Sequence, residues 1–307
     1  MVVKPTQMPA QKQSPENDSM IEGRFRECNT QAPKETQIAQ LFSLKHKTAI
    51  VSGSGAGIGL QVVHAFAEAG ANVAIWYHGN REALDRAAEI EKKYGVECKA
   101  YQTDVTDYEN VSQVINDITE EFNGRLDIFV ANAGIPWTDG SMIDGSLTSY
   151  HKVVATDLDS VFYSAKAAGE IFRRQYETAV SLTGATLQNY SYGSFIATAS
   201  MSGHIANIPQ LQSAHNAAKA GVRHLCQSLA VEWVKFARAN SVSPGYIVTE
   251  ISNFVPPETK AIWRSKIPMG REGEAHELKG AYLYLASDAS SYTTGTDILV
   301  NGGYCAD

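Results

Sequence analysis

The amino-acid sequence predicts an α/β fold: a single doubly wound sheet of seven parallel strands with helices on both faces. Three observations predict it. From Leu44 onward, short apolar runs alternate with helix-length segments. The runs are continuously apolar rather than alternating, which suits strands covered on both faces and joined by parallel crossovers. No shift of composition divides residues 42–307, so they read as one domain.

Taken in order, the first 40 residues are rich in Gln, Pro, Lys, Glu, Ser and Thr, with no sustained apolar period. They lack the apolar core of a secretory signal, and Glu16, Asp18, Glu22 and Glu27 count against a mitochondrial presequence. We expect residues 1–41 to form a mostly flexible tail, with a neighbouring subunit as its candidate contact. The expected strands are KTAIVSG (47–53), ANVAIWY (71–77), CKAYQTD (98–104), LDIFVANAG (126–134), GSFIATAS (193–200), ANSVSPG (239–245) and TDILVNGG (296–303). Between helix and strand, residues 176–192 are longer than a crossover needs. They read as a surface insertion without chemistry, or as a contact at a subunit edge.

Composition excludes several classes of function. The formal charge of −7 argues against a general binder of nucleic-acid backbone. No stretch is apolar for long enough to cross a bilayer. Cys28, Cys98, Cys226 and Cys305 follow no metal-ligand spacing and read as reduced thiols of a cytoplasmic protein with no metal site.

The glycine-rich string VSGSGAGIG follows the first strand and opens the first helix. Gly53, Gly57 and Gly59 remove Cβ atoms where backbone must turn tightly and approach a pyrophosphate. The helix then presents unpaired N–H groups to that anion. Strand before, amphipathic helix after and a second strand at 71–77 supply the context of a dinucleotide site. An acid at the end of the second strand would bind a ribose 2′-hydroxyl and repel a 2′-phosphate. This chain reads WYHGNREAL there, with His78 and Arg81 before any acid, which favours NADP(H) over NAD; alternatively Arg81 merely begins a solvated helix.

These motifs together resemble the short-chain dehydrogenase/reductase family across residues 42–304. SGSGAGIG is similar to its TGxxxGxG cofactor motif, which assigns Gly53, Ser54, Gly57, Ile58 and Gly59 to the cofactor. TDVTD supplies an adenine-side Asp104 and Val105, and ANAG supplies Asn132, Ala133 and Gly134. SPGYIVT resembles the family's Pro-Gly segment, with Pro244, Gly245, Ile247 and Thr249 toward carboxamide and phosphate. Longer runs such as SMSGHIANIPQLQ resemble the fungal sorbose reductase, mannitol dehydrogenase and yeast carbonyl reductase branch. The resemblance implies a Rossmann-type fold, NADP(H), a small-molecule ketone or secondary alcohol as substrate, and a homodimer or homotetramer formed through helices near 148–175 and 213–238.

Catalysis in that family rests on an Asn–Ser–Tyr–Lys set with a YxxxK spacing. By that match, Lys219 is the lysine that holds the nicotinamide ribose, and Ser200 polarises the carbonyl, with Ser202 as the second candidate for that role. Asp157 stands at the helix Asn position, and His215 stands where tyrosine is expected. Imidazole donates a proton usefully only as imidazolium, and the ammonium of Lys219, one helical turn away, disfavours that form. Its far nitrogen also sits closer to the backbone than a phenol oxygen, so one bridging water is a route to the substrate. A carboxylate from Asp157 near the ring would offset the repulsion. Three readings follow: an oxidoreductase using His215 as acid–base, a cofactor-holding member performing a cyclisation or isomerisation of secondary metabolism, and a cofactor-binding protein without turnover. On sequence grounds, His215→Tyr is expected to raise carbonyl reduction.

Substrate choice is expected to fall to residues 250–270, with Ile251, Phe254, Trp263 and Met269 giving an apolar face and Trp137 completing the wall. Ordinary core packing is the alternative for each.

Overall fold

The strands of the main sheet are short, apolar and parallel, as the runs require. The computed structural model describes Phe25, residues 30–252 and residues 255–306. Strands β1 (Thr48–Val51), β2 (Asn72–Tyr77), β3 (Cys98–Gln102), β4 (Ile128–Ala131), β5 (Gly193–Thr198), β6 (Ala237–Pro244) and β9 (Asp297–Val300) form one sheet. Its order is β3-β2-β1-β4-β5-β6-β9, and every pairing in it is parallel. Val51 of β1 is in register with Ile75 on one side and Val130 on the other. The chain reverses its direction of growth there, between β1 and β4, where open α/β sheets leave a crevice at their carboxyl ends. Two further strands, β7 (Ile247–Val248) and β8 (Gly273–Glu274), pair with each other, which the sequence pattern did not anticipate.

Alternate residues of each strand enter different cores, which is why the runs are continuously apolar. Ile50, Phe129 and Phe195 pack on one face under helices α3 (Tyr108–Glu121), α5 (Ser160–Thr178) and α6 (Ser213–Glu232). Val51, Ile128, Val130 and Ile196 pack on the other under α1 (Gly57–Glu68), α2 (Glu82–Tyr94) and α8 (Lys279–Ala286). A shorter helix α4 (Leu147–Val154) runs into α5, and α7 (Pro257–Lys266) follows β7.

Most of the expected tail lies outside the described residues. The main body begins at Ala32, earlier than the expected boundary at 42, and Ile38–Leu41 form one helical turn. Residues 176–192 attach to the amino ends of the central strands. Leu182 N–H donates to the Gly124 carbonyl (2.8 Å), and the Arg125 guanidinium reaches the Gln188 carbonyl (2.8 Å) while pairing with Asp127. That is the end of the sheet opposite the crevice. Burial pushes the thiols of Cys98 and Cys226 up to about 12, so neither is a nucleophile at neutral pH. Cys28 lies outside the described residues. Among the described residues no helix is long and apolar enough to cross a membrane, and no cluster of metal-ligating side chains occurs.

Candidate active site

A cleft of about 790 Å³ opens at the carboxyl ends of β1, β4 and β5. It takes in the glycine loop, the 132–134 turn and the 244–249 segment, with His78, Asp104 and Val105 toward the far end. Helix α1 starts there with Ala56 at its N-cap, which has no side chain to satisfy the first N–H groups. Those donors are left for an anion. Gly57 adopts φ +56°, and a Cβ on it would stand in the cleft 3.5 Å from Thr249. The loop therefore fits a pyrophosphate, and the residues present fit a dinucleotide.

The loop is held from behind. Asn132 donates to the carbonyls of Ser52 and Gly53 (both 3.1 Å) and accepts from the Thr198 hydroxyl (3.0 Å). The Ser52 hydroxyl accepts the N–H groups of Asn132 and Ala133 (2.9 and 3.1 Å). Asn132 lines the cleft, but its side chain is engaged in positioning β1, β4 and β5 against one another. The expectation for Ser54 is corrected: its hydroxyl donates to the Val51 carbonyl (2.6 Å) and its N–H to Trp76, so no donor remains for a ligand. Gly59 is packed against the loop rather than open to the cleft. Arg81 is exposed and does not line the cleft, whereas His78 does.

Around the reacting centre, three elements converge. Ser200, just past β5, caps a short 3-10 turn by accepting from Ser202 N–H (3.1 Å), which leaves its own O–H to donate. His215 and Lys219 lie one turn apart on α6. Between α4 and α5 the helix widens into a π-turn at Ala155–Asp159, and this carries Asp157 into the interior, 0% exposed. Asp157 Oδ2 meets His215 Nδ1 at 2.7 Å, while Oδ1 accepts from Ile135 N–H at 2.8 Å. Burial by itself would raise the Asp157 pKa. The charge of Lys219, the His215 contact and the Ile135 N–H outweigh burial and hold it below the usual carboxylate value. The buried Lys219 Nζ donates to the Thr198 carbonyl (2.9 Å).

Because the folded-state pKa of Asp157 is depressed, its contribution to stability is fully present above the ordinary carboxylate value. It is lost as pH falls through the lower folded value. Asp157→Asn is therefore expected to flatten the acid limb of a melting-temperature profile taken below about pH 4. A profile parallel to that of the unmodified protein would show that this carboxylate carries no such linkage.

A family model described as enoyl-(acyl carrier protein) reductase matches residues 53–305. An L-xylulose reductase of Hypocrea jecorina is 61% identical, over 93% of this chain and 99% of its own length. A probable NADP-dependent mannitol dehydrogenase of Yarrowia lipolytica is 54% identical, over 90% of this chain and 94% of its own. The chain belongs to the short-chain dehydrogenase/reductase family. Among solved structures, the NADPH-dependent 3-quinuclidinone reductase from Rhodotorula rubra superposes with a TM-score of 0.82 at 40% identity, covering 93% of this chain and 100% of that one.

In this short-chain dehydrogenase/reductase, several residues that line or brace the cleft were not visible from spacing. Arg86 donates to the Gly55 carbonyl of the glycine loop and pairs with Glu82 (2.6 Å). The Glu82–Arg86 interval of four was its only signal. Tyr246 stacks on Trp263 with ring centroids 4.0 Å apart, and both line the cleft. Of the other expected wall residues, Trp137 packs with Val153 and Ala214, donates to the Gly140 carbonyl and does not face the cleft. Met269 is 71% exposed and also lies outside it. The Phe254 expectation and the side chain of Ile251 lie outside the described residues.

Proposed function

We propose that the protein reduces the ketone of a polyhydroxylated substrate to a secondary alcohol, and catalyses the reverse oxidation, with NADP(H) as cofactor and His215 as acid–base. The single observation that carries this reading is the 2.7 Å contact of Asp157 with His215 Nδ1 beside Ser200 in the cleft. An ionised carboxylate can only accept, so Nδ1 carries a proton and Nε2 is the ring atom left for substrate. Bound in the cleft, the nicotinamide cofactor supplies hydride for reduction or accepts it in oxidation.

In the reducing direction His215, as imidazolium, gives its Nε2 proton to the substrate oxygen. The ring that remains is neutral and still bonded to Asp157. In the oxidising direction Nε2 takes the hydroxyl proton. Asp157 orients the ring and stabilises its cationic form without itself being protonated. Ser200 donates its free O–H to the same oxygen. The charges of Asp157 and Lys219 cancel, so protonated His215 leaves one net positive charge where the oxygen becomes negative. Glycine loop, Arg86-braced turn and α1 terminus would hold the phosphates, with His78 at the cleft and the exposed Arg81 reaching in from the start of α2 toward the 2′-phosphate. The relatives and the intact Ser200–His215–Lys219 set favour redox turnover over the non-redox and turnover-free alternatives.

The test is stoichiometric loss of NADPH absorbance on adding a ketopentose or ketohexose, and its gain from NADP⁺ with a polyol. Binding of NADPH without consumption on any of these would remove the redox reading. Arg81→Ala is expected to weaken NADPH binding more than NADH binding; equal loss for both would take Arg81 out of the 2′-phosphate role. The same reading includes a cytoplasmic homodimer or homotetramer assembled through α5 and α6. Light scattering of the purified chain decides the oligomeric state.

A further inference from the structure

Asn207 lies on the loop between Gly203 and Ser213 and is only 7% exposed, yet it lines the cleft with Ser200 and His215. Its Nδ2 donates to the Tyr246 hydroxyl at 3.3 Å, while its Oδ1 is buried and has no partner. The indole Nε1 of Trp263, whose ring stacks on Tyr246, is likewise buried without a partner. Three residues that line the cleft, linked by the Asn207–Tyr246 hydrogen bond and the Tyr246–Trp263 stack, thus carry an unpaired amide end, a phenol hydroxyl and an unpaired indole N–H. Native proteins leave few buried polar groups unsatisfied, and those they keep cluster where function outranks stability. Turning the Asn207 amide by half a rotation exchanges which end is unpaired and does not change their number.

We propose that Asn207, with Tyr246 and Trp263, forms a subsite for a hydroxyl of the substrate beyond the reacting carbon, and that Asn207 selects hydroxylated ketones over plain ones. The proposal rests on the redox reading of the cleft. A hydroxyl both donates and accepts, so it satisfies either end of the amide and has capacity left for a neighbouring N–H. An alkyl chain satisfies neither and leaves both desolvated, which is how a polar subsite rejects a deoxygenated analogue. Ser200 and His215 handle the reacting oxygen. Asn207 reads a different one.

The test compares the full-length protein with Asn207→Leu, using a ketopentose and cyclohexanone as paired substrates. The ratio of their kcat/KM values is expected to fall about tenfold to a hundredfold in the variant. The melting temperature is expected to stay level or rise, because an apolar group of similar volume removes an unsatisfied one. Equal losses on both substrates with a lowered melting temperature would assign Asn207 to holding the loop and overturn the proposal. An unchanged ratio would overturn it as well. If the unmodified protein reduces neither ketone and turns over no ketohexose or polyol, the redox reading fails by itself. Calorimetric binding of a pentitol to the NADP⁺-loaded protein then decides the subsite. At least tenfold weaker binding to Asn207→Leu supports it, and equal binding, or none to either, overturns it.

Discussion

Replacing His215 with alanine is expected to lower kcat for ketone reduction about 100- to 10,000-fold while NADPH affinity stays within about threefold. The two readouts separate because the ring belongs to α6, whereas the phosphate cradle is built from the β1 loop and α1. Asp157→Asn is expected to fall in the same range. The amide keeps the volume but supplies no negative charge to the imidazolium and no fixed acceptor for Nδ1–H. An Asp157→Asn variant with full activity would show that the 2.7 Å contact has no part in proton transfer.

The structure also changes what tyrosine at position 215 should do. Sequence reasoning expects a gain, because the phenol restores the family pattern beside Ser200 and Lys219. In the folded protein, however, the phenol would face the ionised, fully buried Asp157 in place of the Nδ1–H that now satisfies it. A neighbouring carboxylate makes a phenol a weaker acid. His215→Tyr alone is therefore expected to gain less than the pair His215→Tyr with Asp157→Asn, in which the neutral amide removes that charge. Measured as a four-member cycle, the two changes should be strongly non-additive. Additive effects would mean that residues 157 and 215 act independently.

The second large effect is expected at Gly59. A Cβ there would lie 2.6 Å from Asn132 Nδ2, 2.7 Å from the Gly53 carbonyl oxygen and 2.8 Å from Ser54 Cα. Two of those atoms are backbone of the glycine loop itself, so no side-chain rotation relieves the overlap. Moving Asn132 would break its bonds to the Ser52 and Gly53 carbonyls. Gly59→Ala is expected to weaken NADPH binding by at least about 100-fold and to cost roughly 1–3 kcal/mol of stability. Titration of the variant with NADPH, with a melting curve alongside, checks both. Affinity within threefold of the unmodified protein would show that the loop has slack the packing does not suggest.

Much of this was legible from residue order because it depends on neighbours in the chain. A continuous apolar run must be covered on both faces, and each of the seven expected runs overlaps a strand of the sheet, although 239–245 misses the first two residues of β6. Strand, glycine string and helix in succession locate an anion site whatever the rest of the molecule does. The four-residue interval in QSAHNAAKAG likewise places His215 and Lys219 on one face of α6.

What lay outside that reach was every contact between distant segments. Asp157 and His215 are 58 positions apart, and they meet only because a π-turn drives the carboxylate inward beneath α6. Arg86 reaches a carbonyl 31 positions away, and Asn207 finds Tyr246 across 39. Ser54 as a cofactor contact and Trp137 as a wall residue failed for the same reason: position in the chain marked them as available, and packing turned them inward. Periodicity and spacing constrain which way a side chain leaves its own helix or strand, and so they determined the sheet, the phosphate cradle and the His215–Lys219 pair. Which charge stands beside the imidazole, and hence which proton it can move, was decided only when burial brought two separately encoded helices together.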